Sequence, residues 1–370
     1  MVRGHWSNLD LPWGQSLRIR LPDDFDFLAS YVGTARAYFP PSFELALDVA
    51  PSAGVILDLG AHLGTLTLAA AATGRRVVAV EASPRNVELL GASVHANGFD
   101  DLVTIVPVAV SDHSGTVRFQ EEGPWGQVSR SGWGIGVVEV PARTVPEVLS
   151  DLGVEHVDVV KMDVEGSEIA VVDGMAPLLT ARDAPTIVYE SNAHTLRMFD
   201  ATPEQLSRAI AAYGYHNYLL GDPDLELTPV EPGGFQPETV VDYASFKVLP
   251  ELSSKWRLQE PRTSSELASV IDVESRASTP ELRAQLAHSL RRAPAALLER
   301  RDVRLTLEEL TLDPDESVAR AADWWRRRDH GADRAPAAAV ASQTVRLLGE
   351  QGRALRNRIE QIRIRWGARP

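Results

Sequence analysis

The chain has 370 residues, of which 44% are hydrophobic and 24% charged, a composition that suits a globular protein long enough for two domains. It contains no cysteine, which excludes disulfides, thiolate metal sites and cysteine nucleophiles. Its formal charge of −14 is unevenly placed: residues 1–250 carry −18 and residues 251–370 carry +4, so a nucleic-acid partner, which needs a basic footprint, is not expected for the acidic part.

Met1 to Gly14 lacks a basic-then-apolar leader, and no apolar run approaches ~18 residues, so a cytoplasmic protein with no membrane partner is expected. Leu17 to Leu21 alternates apolar and basic residues, which predicts an edge strand. Aromatics from Phe25 to Tyr31 and at Tyr38 and Phe39 precede Pro40-Pro41; Ser42 to Ala50 then predicts a short helix with Ser42 as N-cap and Leu45 and Val49 inward. Such a lead-in either covers a cleft or packs against the domain. Val55 to Leu59 is a short apolar run interrupted only by Asp58, the pattern of a strand buried on both faces. Gly60 and Gly64 bracket a turn, and Thr65 to Ala72 reads as a helix. A strand, a glycine turn and a helix N-terminus together set backbone N–H groups and a positive dipole end against an anionic ligand. The dinucleotide fingerprint fails here, because His62 and Thr65 stand where its second and third glycines belong.

Val77 to Glu81 is a second buried strand ending in an acid, 21 residues beyond Gly60. An acid at that place can accept hydrogen bonds from both ribose hydroxyls of an adenosine; otherwise it is a strand-end acid. Ser83 and Pro84 cap a helix running to about Asn97. Leu102 to Val110 gives a third strand region, followed by Asp112, which is either an adenine contact or a turn acid. Residues 116–145 read as a hairpin insertion containing Trp125 and Trp133. Val157 to Met162 is the fourth core strand and runs into Asp163, Glu165 and Glu168; Ile187 to Asn192 is the fifth and carries Glu190. Carboxyl ends of strands in an open α/β sheet are where ligands bind, which favours function for Asp163 and Glu190, whereas Glu168 reads as a helix N-terminal acid. Lys161 is hard to explain as packing and can neutralise the acids beside it. Thr202-Pro203 opens a helix to Tyr213; Tyr215 to Leu220 and Tyr243 to Leu249 read as the last two strands, antiparallel, around a Pro/Gly-rich loop at 221–237.

Four blocks in order resemble the FkbM family of class I S-adenosylmethionine-dependent methyltransferases across roughly residues 50–220: Asp58 to Gly64, Val80 to Pro84, Ala109 to Asp112, and Val159 to Glu168 with its Lys-x-Asp-x-Glu-Gly-x-Glu pattern. Tyr189-Glu190 is similar to the family's fifth-strand acid, and His62 departs from the polar Asn common at its place. The resemblance implies a Rossmann-like, doubly wound, mostly parallel seven-stranded sheet in residues 1–250, with 251–370 a separate helical region. It implies S-adenosylmethionine held by Asp58, Gly60, Ala61, His62, Gly64, Thr65, Glu81, Ala82, Ser83, Ser111 and Asp112. It also implies O-methylation of a small metabolite or sugar hydroxyl in biosynthesis.

Proton removal falls to Asp163, Glu165 or Glu190, acting by one of two routes. One carboxylate is the base directly, or Asp163 and Glu190, with Asn192, hold Mg²⁺, which lowers the hydroxyl's pKa. His194 is a further base candidate. The alternatives are an inactive methyltransferase-like scaffold and a Rossmann-type NAD-dependent oxidoreductase, the latter disfavoured by the failed glycine pattern.

In the tail, Thr279-Pro280 and Asp313 to Glu316 start helices, the first with Leu282, Leu286 and Leu290 on one face and the second reaching Trp324-Trp325. Val345, Leu348, Gly352, Leu355, Ile359, Ile362 and Trp366 form a heptad seam flanked by arginines. Docking on an acidic surface of the same chain or of a second copy is expected, with membrane-surface binding as the rival.

Overall fold

Alternating apolar residues pair at the N-terminus of this computed structural model: Gly4–Asp10 (β1) and Ser16–Pro22 (β2) form an antiparallel ribbon in register from Gly4↔Pro22 to Asp10↔Ser16. The structure describes residues 2–23, 39–120, 126–128, 137–221, 225–238 and 240–329. They fall into two compact units, Met1–Gly234 with Val240–Pro261, and Phe235–Thr239 with the chain from Arg262 onward. The expected boundary after residue 250 moves to Pro261, because Arg257 and Leu258 pair into the sheet of the first unit.

In the first unit, Pro41–Val49 (α1) starts one residue ahead of the expected cap, with Pro41 at the first helical position. Ser42 is therefore inside the helix, and its hydroxyl donates to Asp242 at 3.0 Å. Leu45 is buried as expected, while Val49 is half-buried. Val55–Leu59 (β3), buried along its whole length, leads through the glycine turn into Thr65–Ala72 (α2). Arg76–Val80 (β4) and Val103–Val106 (β5) extend the sheet in parallel. Between them Pro84–Ala96 (α3) is capped by Ser83, whose side chain accepts the Asn86 amide. The ribbon packs on α3: the Arg18 amide donates to Asn97 and the Arg20 amide to Ser93. This part of the lead-in packs against the domain; the aromatics from Phe25 to Tyr38 lie outside the described residues.

The expected strand over Leu102 to Val110 is two strands. Pro107 has no N–H for a ladder, and Ala109–Val110 (β6) pairs elsewhere. Gly115–Gln120 (β7), Gln127–Val128 (β8) and Val137–Arg143 (β9) complete a small sheet of order β6-β9-β7-β8. Strands β7 and β9 form the expected hairpin; Trp125 and Trp133 lie outside the described residues. A capping box of Thr144 and Glu147 starts Val145–Asp151 (α4).

The chain then returns to the sheet centre with Val159–Met162 (β10), Glu168–Gly174 (α5), Ala176–Thr180 (α6), Thr186–Asn192 (β11), Ala193–Met198 (α7) and Pro203–Ala211 (α8). His216–Gly221 (β12), Glu226–Val230 (β13), Val240–Phe246 (β14) and Arg257–Leu258 (β15) finish it. The strand order is β15-β13-β12-β14-β11-β10-β3-β4-β5. The stretch from β5 to β12 contains the seven expected strands, with β14 antiparallel between β11 and β12; β13 and β15 extend the edge. Strand β13 occupies the segment expected to be a loop. Apolar clusters line both faces, as a doubly wound sheet requires. The chain leaves β3 toward β4 and β5, then crosses back to β10, so the order reverses between β3 and β10. Ligands bind at such a reversal.

The second unit is helical: Ser264–Ser275 (α9), Pro280–Leu290 (α10), Ala295–Leu298 (α11), Arg301–Thr311 (α12) and Glu316–Asp329 (α13). Threonine caps at Thr263 and Thr279 start α9 and α10. Leu286, Leu290, Leu307, Trp324 and Trp325 share its core, and Arg283 binds Asp313 through two nitrogens at 2.7 and 3.1 Å. Leu282 is half-buried. The heptad seam from Val345 to Trp366 lies outside the described residues.

Candidate active site

The site begins with a contact that only glycine permits. Gly60, at φ +76°, lies so close to the end of β10 that an added Cβ would stand 1.9 Å from the Asp163 carbonyl oxygen. Gly64, at φ +89°, caps α2 in the left-handed region and leaves room for Leu90. The loop amides are used internally: Gly60 and Ala61 donate to the Val80 carbonyl, Gly64 to the Ala61 carbonyl, and His62 to Glu81 at 2.7 Å. The expectation that these N–H groups face an anionic ligand is corrected. They fix the shape of the turn instead, and His62 itself adopts φ +54°.

Glu81, 6% exposed, sits just past β4 and receives the amides of His62 and Ser83. Burial is the largest influence on its carboxyl and raises its pKa, against those hydrogen bonds. Its Oε1 also accepts the Asn86 side-chain amide at 3.4 Å, so Oε2 is the oxygen that keeps a lone pair for a further donor. The His62 imidazole is lowered to about 4, first by burial and then by the Lys161 charge, so it is neutral at neutral pH. Asp58, 1% exposed, turns inward: it accepts the Thr67 hydroxyl at 2.6 Å, and Lys161 Nζ lies 3.4 Å from its other oxygen. It anchors the loop from below. Ala61 is buried, Thr65 and Ala82 are half-buried, and Ser83 serves as the cap of α3. Asp112 is exposed and bound by Ser111 and His113, with the His113 hydrogen bond lowering its pKa. Its loop abuts α5, where a Cβ on Gly174 would meet the Ser111 carbonyl at 2.3 Å.

The strand-end acids converge. Asp163, Glu165 and Glu190 are half-buried, and one oxygen of each lies within 4.8 Å of the others. Glu165 reaches its place with φ +51°, and Gly166 follows at φ +105°, pressed against the Thr195 carbonyl. Asn192 stands beside Glu190, its Nδ2 donating to Glu190 Oε1 at 3.5 Å. Its Oδ1 caps α7 by accepting the His194 and Thr195 amides. The half-buried His194 thus enters the site's geometry through its backbone.

Two further features were not evident from the sequence. Asp242 on β14 stands directly opposite Glu190 in the antiparallel register, adding a fourth acid that only the strand pairing reveals. Glu168, read as a helix-end acid, is indeed the first residue of α5 but is only 2% exposed. One of its oxygens accepts the Gly166 amide, the other has no hydrogen-bond partner among the described residues, and burial pushes its pKa up to about 7.

A parallel sheet that reverses its strand order beside a glycine turn, with an antiparallel strand inserted near one edge, defines the class I methyltransferase fold. Residues 58–216 match the family model of the methyltransferase FkbM domain, and this stretch of the chain is an FkbM methyltransferase domain with S-adenosylmethionine as its cofactor. No curated protein sequence matches the chain. Among solved structures, it is similar to a precorrin-6y C5,15-methyltransferase from Geobacter metallireducens GS-15, at 14% identity and TM-score 0.33, over 56% of this chain and 86% of that one. It is also similar to cofactor-bound Rv0187 from MTB, at 15% identity and TM-score 0.34, over 60% and 87%. An RNA methyltransferase from Salinibacter ruber in complex with S-adenosyl-L-homocysteine matches at 20% identity and TM-score 0.25, over 40% and 71%. Among the described residues, no helix is long and apolar enough to cross a membrane.

Proposed function

We propose that the chain transfers a methyl group from S-adenosylmethionine to a hydroxyl of a small metabolite or sugar. The observation that carries this reading is the convergence of Asp163, Glu165 and Glu190 at the ends of β10 and β11, beside the Gly60 turn. A neutral hydroxyl is a poor nucleophile, and a positioned base contributes about 10²–10⁴-fold to removing its proton. Bound S-adenosylmethionine supplies an electrophilic methyl carbon on a sulfonium. The residues fit it: the turn from Gly60 to Gly64 has no side chain at its two crowded positions, and the Glu81 carboxylate faces that turn with accepting capacity on Oε2 to spare for a ribose hydroxyl.

Two routes share the acid cluster. In the first, one of the three carboxylates takes the hydroxyl proton directly. In the second, Asp163 and Glu190, joined by Glu165, hold Mg²⁺, whose preference for oxygen ligands this set meets and which would lower the hydroxyl's pKa. The acidic balance of residues 1–250 supports a small-molecule acceptor over nucleic acid. The test is methyl transfer from labelled S-adenosylmethionine to hydroxylated metabolites found beside this protein in its host, with NAD titration as the control. Binding of NAD in place of S-adenosylmethionine would sink the proposal.

A further inference from the structure

The chain contains three lysines, Lys161, Lys247 and Lys255, among 37 basic residues, so a lysine is an uncommon choice here. Lys161 is also the one at the strand reversal, on the central strand β10 and 6% exposed. Its ammonium donates to the Gly60 carbonyl at 2.8 Å, lies 3.4 Å from Asp58 and lies 3.7 Å from Asp163. Those three oxygens belong to the end of β3, the glycine turn and the acid cluster. A buried charge needs such partners, but neutralising Asp58 alone would not require contact with the turn and with Asp163. A compact ammonium can face three oxygens around one point, which the planar fork of arginine cannot do.

We propose that Lys161 is a positioning residue that joins the cofactor turn to the acid cluster, fixing Asp163 relative to the bound methyl donor. The inference rests on the methyltransferase reading above. In-line transfer needs the acceptor oxygen, methyl carbon and sulfur aligned, and the group handling the acceptor's proton must hold its place against the turn that holds the donor. The Gly60–Asp163 backbone contact sets one point of this joint. The ammonium sets a second, through the Gly60 carbonyl and the Asp163 side chain. With both in place, the two segments cannot pivot about a single contact. The Lys161 charge also reaches His62 in the turn, where it helps keep the imidazole neutral.

The test uses the full chain labelled with ¹⁵N-lysine, in which only three ammonium signals exist. The Lys161 Nζ resonance is followed on titration with S-adenosylhomocysteine and, separately, in Asp163→Asn. A joint predicts that this resonance moves in both experiments. A response to Asp163→Asn without any response to S-adenosylhomocysteine overturns the proposal and makes Lys161 a local neutraliser. If calorimetry shows no S-adenosylhomocysteine binding to the parent chain, the methyltransferase reading itself falls and takes this inference with it. In Lys161→Met, cofactor affinity should stay within about threefold of the parent. Turnover should fall about 10²-fold, the loss that a misplacement of about 1 Å produces. Loss of affinity and turnover by the same factor would overturn the positioning role. Should that variant fail to fold, Asp58→Asn with Lys161→Met removes both buried charges together, and the resonance measurement needs no variant at Lys161.

Discussion

Replacing Gly60 with alanine tests the contact on which the site is built. The new methyl would stand 1.9 Å from the Asp163 carbonyl oxygen, where a Cβ contact under 3.0 Å is essentially never seen, so the ends of β3 and β10 must part. Holding alanine at φ +76° costs about 1–2 kcal/mol by itself. Parting the strands also endangers the Asp163 amide bond to the Leu59 carbonyl, worth about 0.5–1.5 kcal/mol. The charged bond from Lys161 to the Gly60 carbonyl adds about 1.5–3 kcal/mol. The expected loss is therefore about 3–6 kcal/mol. Gly98 supplies the control, since it has φ +71° and nothing within 4 Å of the place a Cβ would take, so Gly98→Ala should cost only the conformational term of about 1–2 kcal/mol. Urea denaturation of both variants measures the difference. If Gly60→Ala lies within about 1 kcal/mol of Gly98→Ala, the two strand ends are not pressed together and the joint between them does not exist.

Glu81→Ala should weaken S-adenosylmethionine binding by roughly tenfold or more, because charged hydrogen bonds worth about 1.5–3 kcal/mol are lost; unchanged affinity by calorimetry in a folded variant refutes the ribose assignment. Asp163→Asn and Glu190→Gln should each lower turnover far more than cofactor affinity. Full activity in excess chelator would eliminate the Mg²⁺ route and leave the direct base. Glu168 has a folded pKa of about 7, raised by burial above its ordinary 4.5, so between those values the folded state holds more protons than the unfolded one and stability falls as pH rises. Glu168→Gln, which keeps an acceptor for the Gly166 amide, should flatten that slope and be more stable than the parent above pH 7, by about 2–3 kcal/mol. A parent chain whose denaturation midpoint is flat from pH 4.5 to 7 would contradict the buried, proton-holding carboxyl.

What could be read from the sequence was what local chemistry decides. Val55–Leu59 is an uninterrupted buried strand because a parallel central strand has no polar face to show, and the glycines after it mark the turn. Ser83-Pro84, Thr202-Pro203 and Thr279-Pro280 each gave a helix start to the residue, since cap and proline act within one turn. Pro40-Pro41 misled the reading of the cap, because a proline at the first helical position put the cap at Pro40, two residues ahead of the expected Ser42. Strand β13 was hidden by the prolines and glycines around it; its partner β12 supplies the pairing that its own residues do not advertise. Asp242 was beyond reach for a different reason. Its place beside Glu190 depends on an antiparallel register between strands about 50 residues apart, which no local pattern records.

The same register bears on the role proposed for the acids. Like charges directly opposite on neighbouring strands are destabilising, and Glu190 faces Asp242 while Asp163 and Glu165 crowd the adjoining strand end. Among described residues, the one lysine at this end of the sheet is Lys161, and its ammonium is already shared among Gly60, Asp58 and Asp163. Ser42 donates its hydroxyl to Asp242 at 3.0 Å. On the direct-base route, a carboxylate that takes a proton from the acceptor hydroxyl loses its charge, and the repulsion from its neighbours falls as it does so. Asp242 stands opposite Glu190 but outside the three acids that converge, so Asp242→Asn should reduce turnover less than Asp163→Asn does. An Asp242→Asn variant as inactive as Asp163→Asn would instead make Asp242 a direct participant.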